Sequence, residues 1–151
     1  MLDHIPFNPT ALQRAHLERL AAHLDLGVTN LQFDMENYQS YCGTVGCACG
    51  HGPSLGIVKM PSESWDPYAD RAFGAADVQA FTWMFSAIWA TNKTDNTPRG
   101  AAARIRYALR HGIPANYNDQ VWGRAPLSYT VPDRVDPPLS VSARGKPAFT
   151  A

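Results

Sequence analysis

Residues 42 to 51 read Cys-Gly-Thr-Val-Gly-Cys-Ala-Cys-Gly-His and gather all three thiols of the chain beside an imidazole. Thr44 is a good helix cap, and a helix starting there puts Cys47 in its first turn, where backbone N–H groups and the helix dipole favour a thiolate. His51 follows Cys47 by four residues, about one helical turn, so both side chains emerge on one face. That spacing fits a nucleophile and its base, with Cys42 or Cys47 as the nucleophile and His51 taking the proton. A cysteine-dependent hydrolase or transferase further needs a group that orients the base and donors for an oxyanion.

The same residues support two other readings. A zinc ion would use Cys42, Cys47 and His51, with Cys49 or a distant histidine as fourth ligand. The spacing C-x4-C-x-C-x-H departs from the paired arrangements of fingers and ribbons. On an unbroken helix Cys49 would point about 160° away from His51. Gly50, Gly52 and Pro53 are placed to break such a helix. The third reading is packing: small Cys, Gly and Ala side chains let one helix lie close to another, and the thiols are inert. Packing is preferred, with no cofactor expected and zinc as the alternative. Gln39 resembles the oxyanion-hole glutamine of papain-like proteases, but the accompanying Cys and Trp are missing at their usual offsets.

These side chains must be positioned by helices. A first helix is expected over 9–25, with Asn8 as cap, Pro9 at the first helical position, and Leu12, Leu17, Leu20 and Leu24 on its apolar stripe. His16 and His23 share one side of it and read as solvated. Turn-forming residues from Gly52 to Pro67 predict a long connection. Ala75 to Ala90 is the strongest pattern, with Val78, Phe81, Met84, Phe85, Ile88 and Trp89 on one broad face widened by Trp83. It predicts a central aromatic helix. The next helix opens on Thr97 and Pro98, runs through Ala101, Ile105 and Ala108, and stops at Gly112. Its small residues predict an antiparallel hairpin with the aromatic helix. Beyond it, prolines from Pro114 to Pro147 predict an extended C-terminal arm whose Trp122, Leu127, Tyr129 and Val131 wrap the body or lie on another protein.

At 151 residues and 45% apolar content the chain suffices for a single core. Thirteen basic residues balance thirteen acidic ones, which argues against nucleic acid as a partner. The balance hides an asymmetry: residues 1 to 98 carry five basic and ten acidic side chains, residues 99 to 151 eight and three. The halves are expected to attract each other. The apolar run Ala80 to Ala90 is far below the roughly 18 to 20 residues a membrane crossing needs. With clustered thiols and no basic-then-apolar leader at its start, the chain is expected in the cytoplasm, away from membranes.

The Cys42-Gly43-Thr44-x-x-Cys47-x-x-Gly50-His51 run, with Phe33-Asp34-Met35 before it and Phe81, Met84-Phe85, Trp89 and the Thr97 to Leu109 helix after it, resembles a group of small uncharacterised bacteriophage and bacterial proteins. Their core reads Cys-Gly-Thr-x-x-Cys-x-x-Gly followed by His or Trp. The resemblance covers residues 33–112. It implies a mostly helical body and a mobile-element setting, hence the host cell cytoplasm, and brings no activity with it. Trp in place of His51 in that pattern weighs against a catalytic or metal role for this histidine.

The sequence therefore predicts a mainly α, compact small domain over 1–115 and a proline-rich arm over 116–151. It is expected to be a non-enzymatic accessory or interaction protein whose partner is another protein. The contact residues expected are Arg99, Arg106 and Arg110, aligned on one helix face, and Trp122 and Tyr129 of the arm.

Overall fold

The computed structural model describes residues 3–26, 48–91 and 94–130. They form a mainly helical body, as the patterning predicts, with one small antiparallel sheet.

Helix α1 spans Ala11–Leu26. Its start is set by a reciprocal cap: Gln13 N donates to Thr10 Oγ1 at 3.1 Å while Thr10 N donates to Gln13 Oε1 at 2.9 Å. The cap is thus Thr10 and not Asn8, because only Thr10 has a glutamine three residues on to close the box. Leu17, Leu20, Ala21 and Leu24 are buried, whereas Leu12, expected on the stripe, is exposed. Gln13 Nε2 also reaches the carbonyls of Asp70 and Arg71 at 3.3 Å, tying the start of α1 to the end of α2.

Helix α2, Trp65–Phe73, is not among the helices that the sequence predicts, and its first three residues fall in the connection expected from Gly52 to Pro67. Pro67 reads as a breaker, yet it is the third helical residue, where the missing N–H costs no intrahelical bond. Tyr68, Ala69, Ala72 and Phe73 face inward, and Gly74, at φ 72°, ends the helix.

The aromatic segment is two helices, α3 (Val78–Phe85) and α4 (Ile88–Thr91), and not one. Ser86 is extended (φ −71°, ψ 138°) and its Oγ accepts from Ile88 N at 3.1 Å. The break has a tertiary cause. Trp89 Nε1 donates to the carbonyls of Trp83 (3.0 Å) and Thr82 (3.1 Å), acceptors that a continuing helix would have filled with its own N–H groups. Trp83 and Trp89 are wholly buried, but Val78 is 65% exposed.

Helix α5, Pro98–His111, begins and ends as the sequence predicts: Gly100 N donates to Thr97 Oγ1 at 3.0 Å and Gly112 N to Ala108 O at 3.0 Å. It lies most extensively on α1 and more narrowly on α3, where Trp83 Nε1 donates to Arg104 O at 3.0 Å. Strand β1 (His4–Ile5) pairs antiparallel with β2 (Ile113–Pro114), Ile5 opposite Ile113. A Cβ on Gly112 would stand 2.5 Å from Ile5 O at φ 87°, so this junction of sheet and helix requires glycine.

The arm is described as far as residue 130, and that part wraps the body. Between Pro114 and Pro126 there is room for a short helix, α6 (Tyr117–Val121), packed on α3. Gln120 Oε1 then accepts from Ser128 N at 2.9 Å, turning the chain so that Tyr129 is buried.

Candidate functional site

Cys42, Thr44 and Cys47 lie outside the described residues. Cys49 and His51 are the ends of a 3₁₀ turn, Cys49–His51, followed through Gly52 by a second, Pro53–Leu55. Cys49 is fully buried. Burial first, and then the neighbouring Cys49, push the Tyr68 phenol above its ordinary range, which keeps it a neutral donor. Its Oη donates to Ile57 O at 2.6 Å. A Cβ on Gly52 would run into that hydroxyl, so the turn is fitted closely against α2.

His51, two residues on, meets His23 of α1: the ring centres are 5.5 Å apart and the planes tilted by 52°. Neither histidine is fully solvated; both are half-buried. Burial, and after it the charge of His51, hold the His23 imidazole below its ordinary value. His16, also expected in water, has Nδ1 2.8 Å from Ala72 O and its ring edge-on to Phe73.

The arginine stripe of α5 is largely satisfied within the chain. Asp25, near the end of α1, sits between Arg99 (Nε to Oδ1 3.4 Å) and Arg106 (Nη1 to Oδ2 3.0 Å). This is the attraction between halves that the charge asymmetry predicts. Arg110 and Trp122 are exposed, whereas Tyr129 is buried against Trp83 and Trp89 and presents no surface to a partner.

Arg104 is the functional-looking side chain that the sequence reading passes over. It is fully buried and its guanidinium lies 4.1 Å from the Trp89 ring centre. Its Nη1 donates to Asp95 Oδ2 (3.0 Å) and Tyr129 Oη (2.8 Å), and Tyr129 Oη donates in turn to Asp95 Oδ2 at 2.7 Å. Thr97 Oγ1 donates to the other carboxylate oxygen at 2.7 Å. Burial pushes the Tyr129 phenol upward, so it remains a donor. A signal was present: Arg104 stands three residues after Ala101 and four before Ala108, inside the apolar stripe of α5.

Concave surface lies elsewhere. A groove of about 450 Å³ runs between α2 and the start of α3, with Pro67, Ala75, Ala76, Val78 and Phe81 along it and Asp66 and Asp70 on its rim. A smaller cleft of about 170 Å³ lies on the other side of the α2–α3 link, lined by Ile5, Phe7, Gly74, Asp77 and Ala80 among others.

Among the described residues no helix is long and apolar enough to cross a membrane, and no three His, Cys, Asp or Glu side chains converge as a metal site. Comparison with known proteins gives no match: no family model fits the chain, and no curated protein or solved structure is significantly similar to it.

Proposed function

We propose that this chain is a non-catalytic accessory protein that holds a partner protein, and that the groove between α2 and α3 is where the partner docks. The bacteriophage setting implied by the Cys-Gly-Thr-x-x-Cys-x-x-Gly run belongs to this reading, with the host cytoplasm as the place of encounter. The observation that carries it is Val78: an apolar side chain 65% exposed at the first position of α3, in a concave surface beside Phe81 and two alanines. A lone exposed valine is ordinary. One that sits in a groove and is edged by carboxylates has the anatomy of an interface, an apolar centre with a polar rim.

The rim chooses the partner's chemistry. Asp66 and Asp70 favour a segment whose apolar anchor is flanked by Lys or Arg, since opposite charges steer encounter and penalise acidic competitors. Of the contact residues expected from the sequence, Tyr129 is held by Asp95 in the core and Arg99 and Arg106 pair with Asp25, whereas Arg106, Arg110 and Trp122 remain exposed.

Selection of a random peptide display library on the folded protein tests this reading. The enriched peptides should share an apolar residue flanked by Lys or Arg and should shift the NMR signals of Val78 and Phe81. Peptides that map to the Arg110 and Trp122 side, or that carry no such pattern, would refute it.

A further inference from the structure

We propose that His23 and His51 together bind a divalent transition-metal ion of the kind that prefers imidazole, such as Zn²⁺ or Ni²⁺. Two imidazoles on one tetrahedral ion, with metal–nitrogen bonds near 2 Å, have ring centres about 5 Å apart. The observed separation is 5.5 Å. The planes are tilted by 52°, which is not the parallel arrangement of a stacked pair.

The two rings come from different elements that are held together independently of any ion. Arg19, one turn before His23 on α1, donates from Nη2 to Leu55 O at 2.6 Å, in the turn that directly follows His51. On the other side, the 3₁₀ turn is anchored by buried Cys49 and by Gly52 against Tyr68. Both histidines are half-buried, so each is oriented by packing and still reached by water. A pair of imidazole nitrogen donors suits zinc, nickel or copper, whereas magnesium and calcium take oxygen ligands. Two ligands leave further coordination positions to water or another donor, so the affinity expected is weaker than that of a closed structural site, with a Kd on the order of 100 μM.

Because the ion would bridge α1 and the turn, it binds the folded chain and stabilises it by RT ln(1 + [M]/Kd). Thermal melts of the full chain should show a rise of about 5 °C in 1 mM ZnCl₂ or NiCl₂ and none in MgCl₂. His23→Ala and His51→Ala should each abolish the rise. His4→Ala and His111→Ala, which remove another close imidazole pair (6.0 Å), should leave it intact. Should an alanine variant fold poorly, zinc titration of the wild-type chain followed by histidine ring NMR signals gives a second readout, in which His23 and His51 shift together. No zinc-dependent change, a change that survives either His23→Ala or His51→Ala, or shifts confined to one of the two rings would overturn the proposal.

Discussion

Arg104 and Asp95 form an ion pair withdrawn from water, Nη1 to Oδ2 3.0 Å, with the arginine side chain 0% and the aspartate 5% exposed. The pair joins the turn before α5, the middle of α5 and, through Tyr129, the returning chain beyond α6. Arg104 Nε and Nη2 are buried and have no hydrogen-bond partner among the described residues. Removing one charge strands the other, at a typical cost of about 3–5 kcal/mol. Asp95→Ala should therefore destabilise the fold by about that amount in urea unfolding. The double variant Arg104→Met/Asp95→Leu should lose less than Asp95→Ala alone, since no charge is left in the core. A double variant worse than the single one would show that the pair itself is a large net stabiliser.

Tyr129 is predicted to fasten the arm. Its ring packs on Trp83 and Trp89 with centre separations of 5.6 and 6.2 Å, and its hydroxyl serves both charges. Tyr129→Phe keeps the packing and removes the hydroxyl, so it should cost about 1–3 kcal/mol. Deleting residues 116–151 should cost more and raise tryptophan exposure to a soluble quencher. Unchanged stability and quenching after the deletion would mean that the arm is an appendage.

The Thr10–Gln13 cap gives a local test. Each side chain satisfies one backbone donor of the other residue, so Thr10→Ala should destabilise by about 1 kcal/mol. Asn8→Ala, at the cap position that the sequence favours, should change little. The reverse order in chemical denaturation would restore Asn8 as the cap.

His23 sets a pH dependence. Its folded pKa is lowered from 6.5, by burial first and by His51 second. The folded chain therefore binds fewer protons than the unfolded one just below pH 6.5. The contribution is fully present above 6.5 and is lost as the pH falls from there through the folded value. Histidine NMR titration in chelator should give a His23 midpoint below 6.5, and His51→Ala should move it part of the way back. A midpoint at or above 6.5 would contradict the burial argument.

Much of the fold was legible because it is written locally. Thr97, Pro98 and Gly112 bound α5 by chemistry contained within one turn, and the structure keeps both ends. Where two local readings compete, the sequence decides less well: Asn8 and Thr10 are both good caps, and Gln13 settles the matter. Pro67 disguised α2, because the same residue breaks a helix or opens one. The kink at Ser86 depends on the Trp89 indole reaching back to Trp83, and the Arg104–Asp95–Tyr129 cluster on three segments meeting. Such contacts leave no periodic trace. The polar residue in the α5 stripe marked where one of them had to be. The meeting of His23 and His51 was equally hidden, since 28 positions separate them and only the packing of the turn on α1 brings the rings together.

The docking groove is tested most directly by the dissociation constant of a display-selected peptide for the wild-type chain and for Val78→Asp. Val78 is exposed, so the variant should keep its melting temperature while binding at least about tenfold more weakly, the loss of one apolar anchor and the gain of a desolvated charge. Equal affinity for the two proteins would contradict the assignment of the groove.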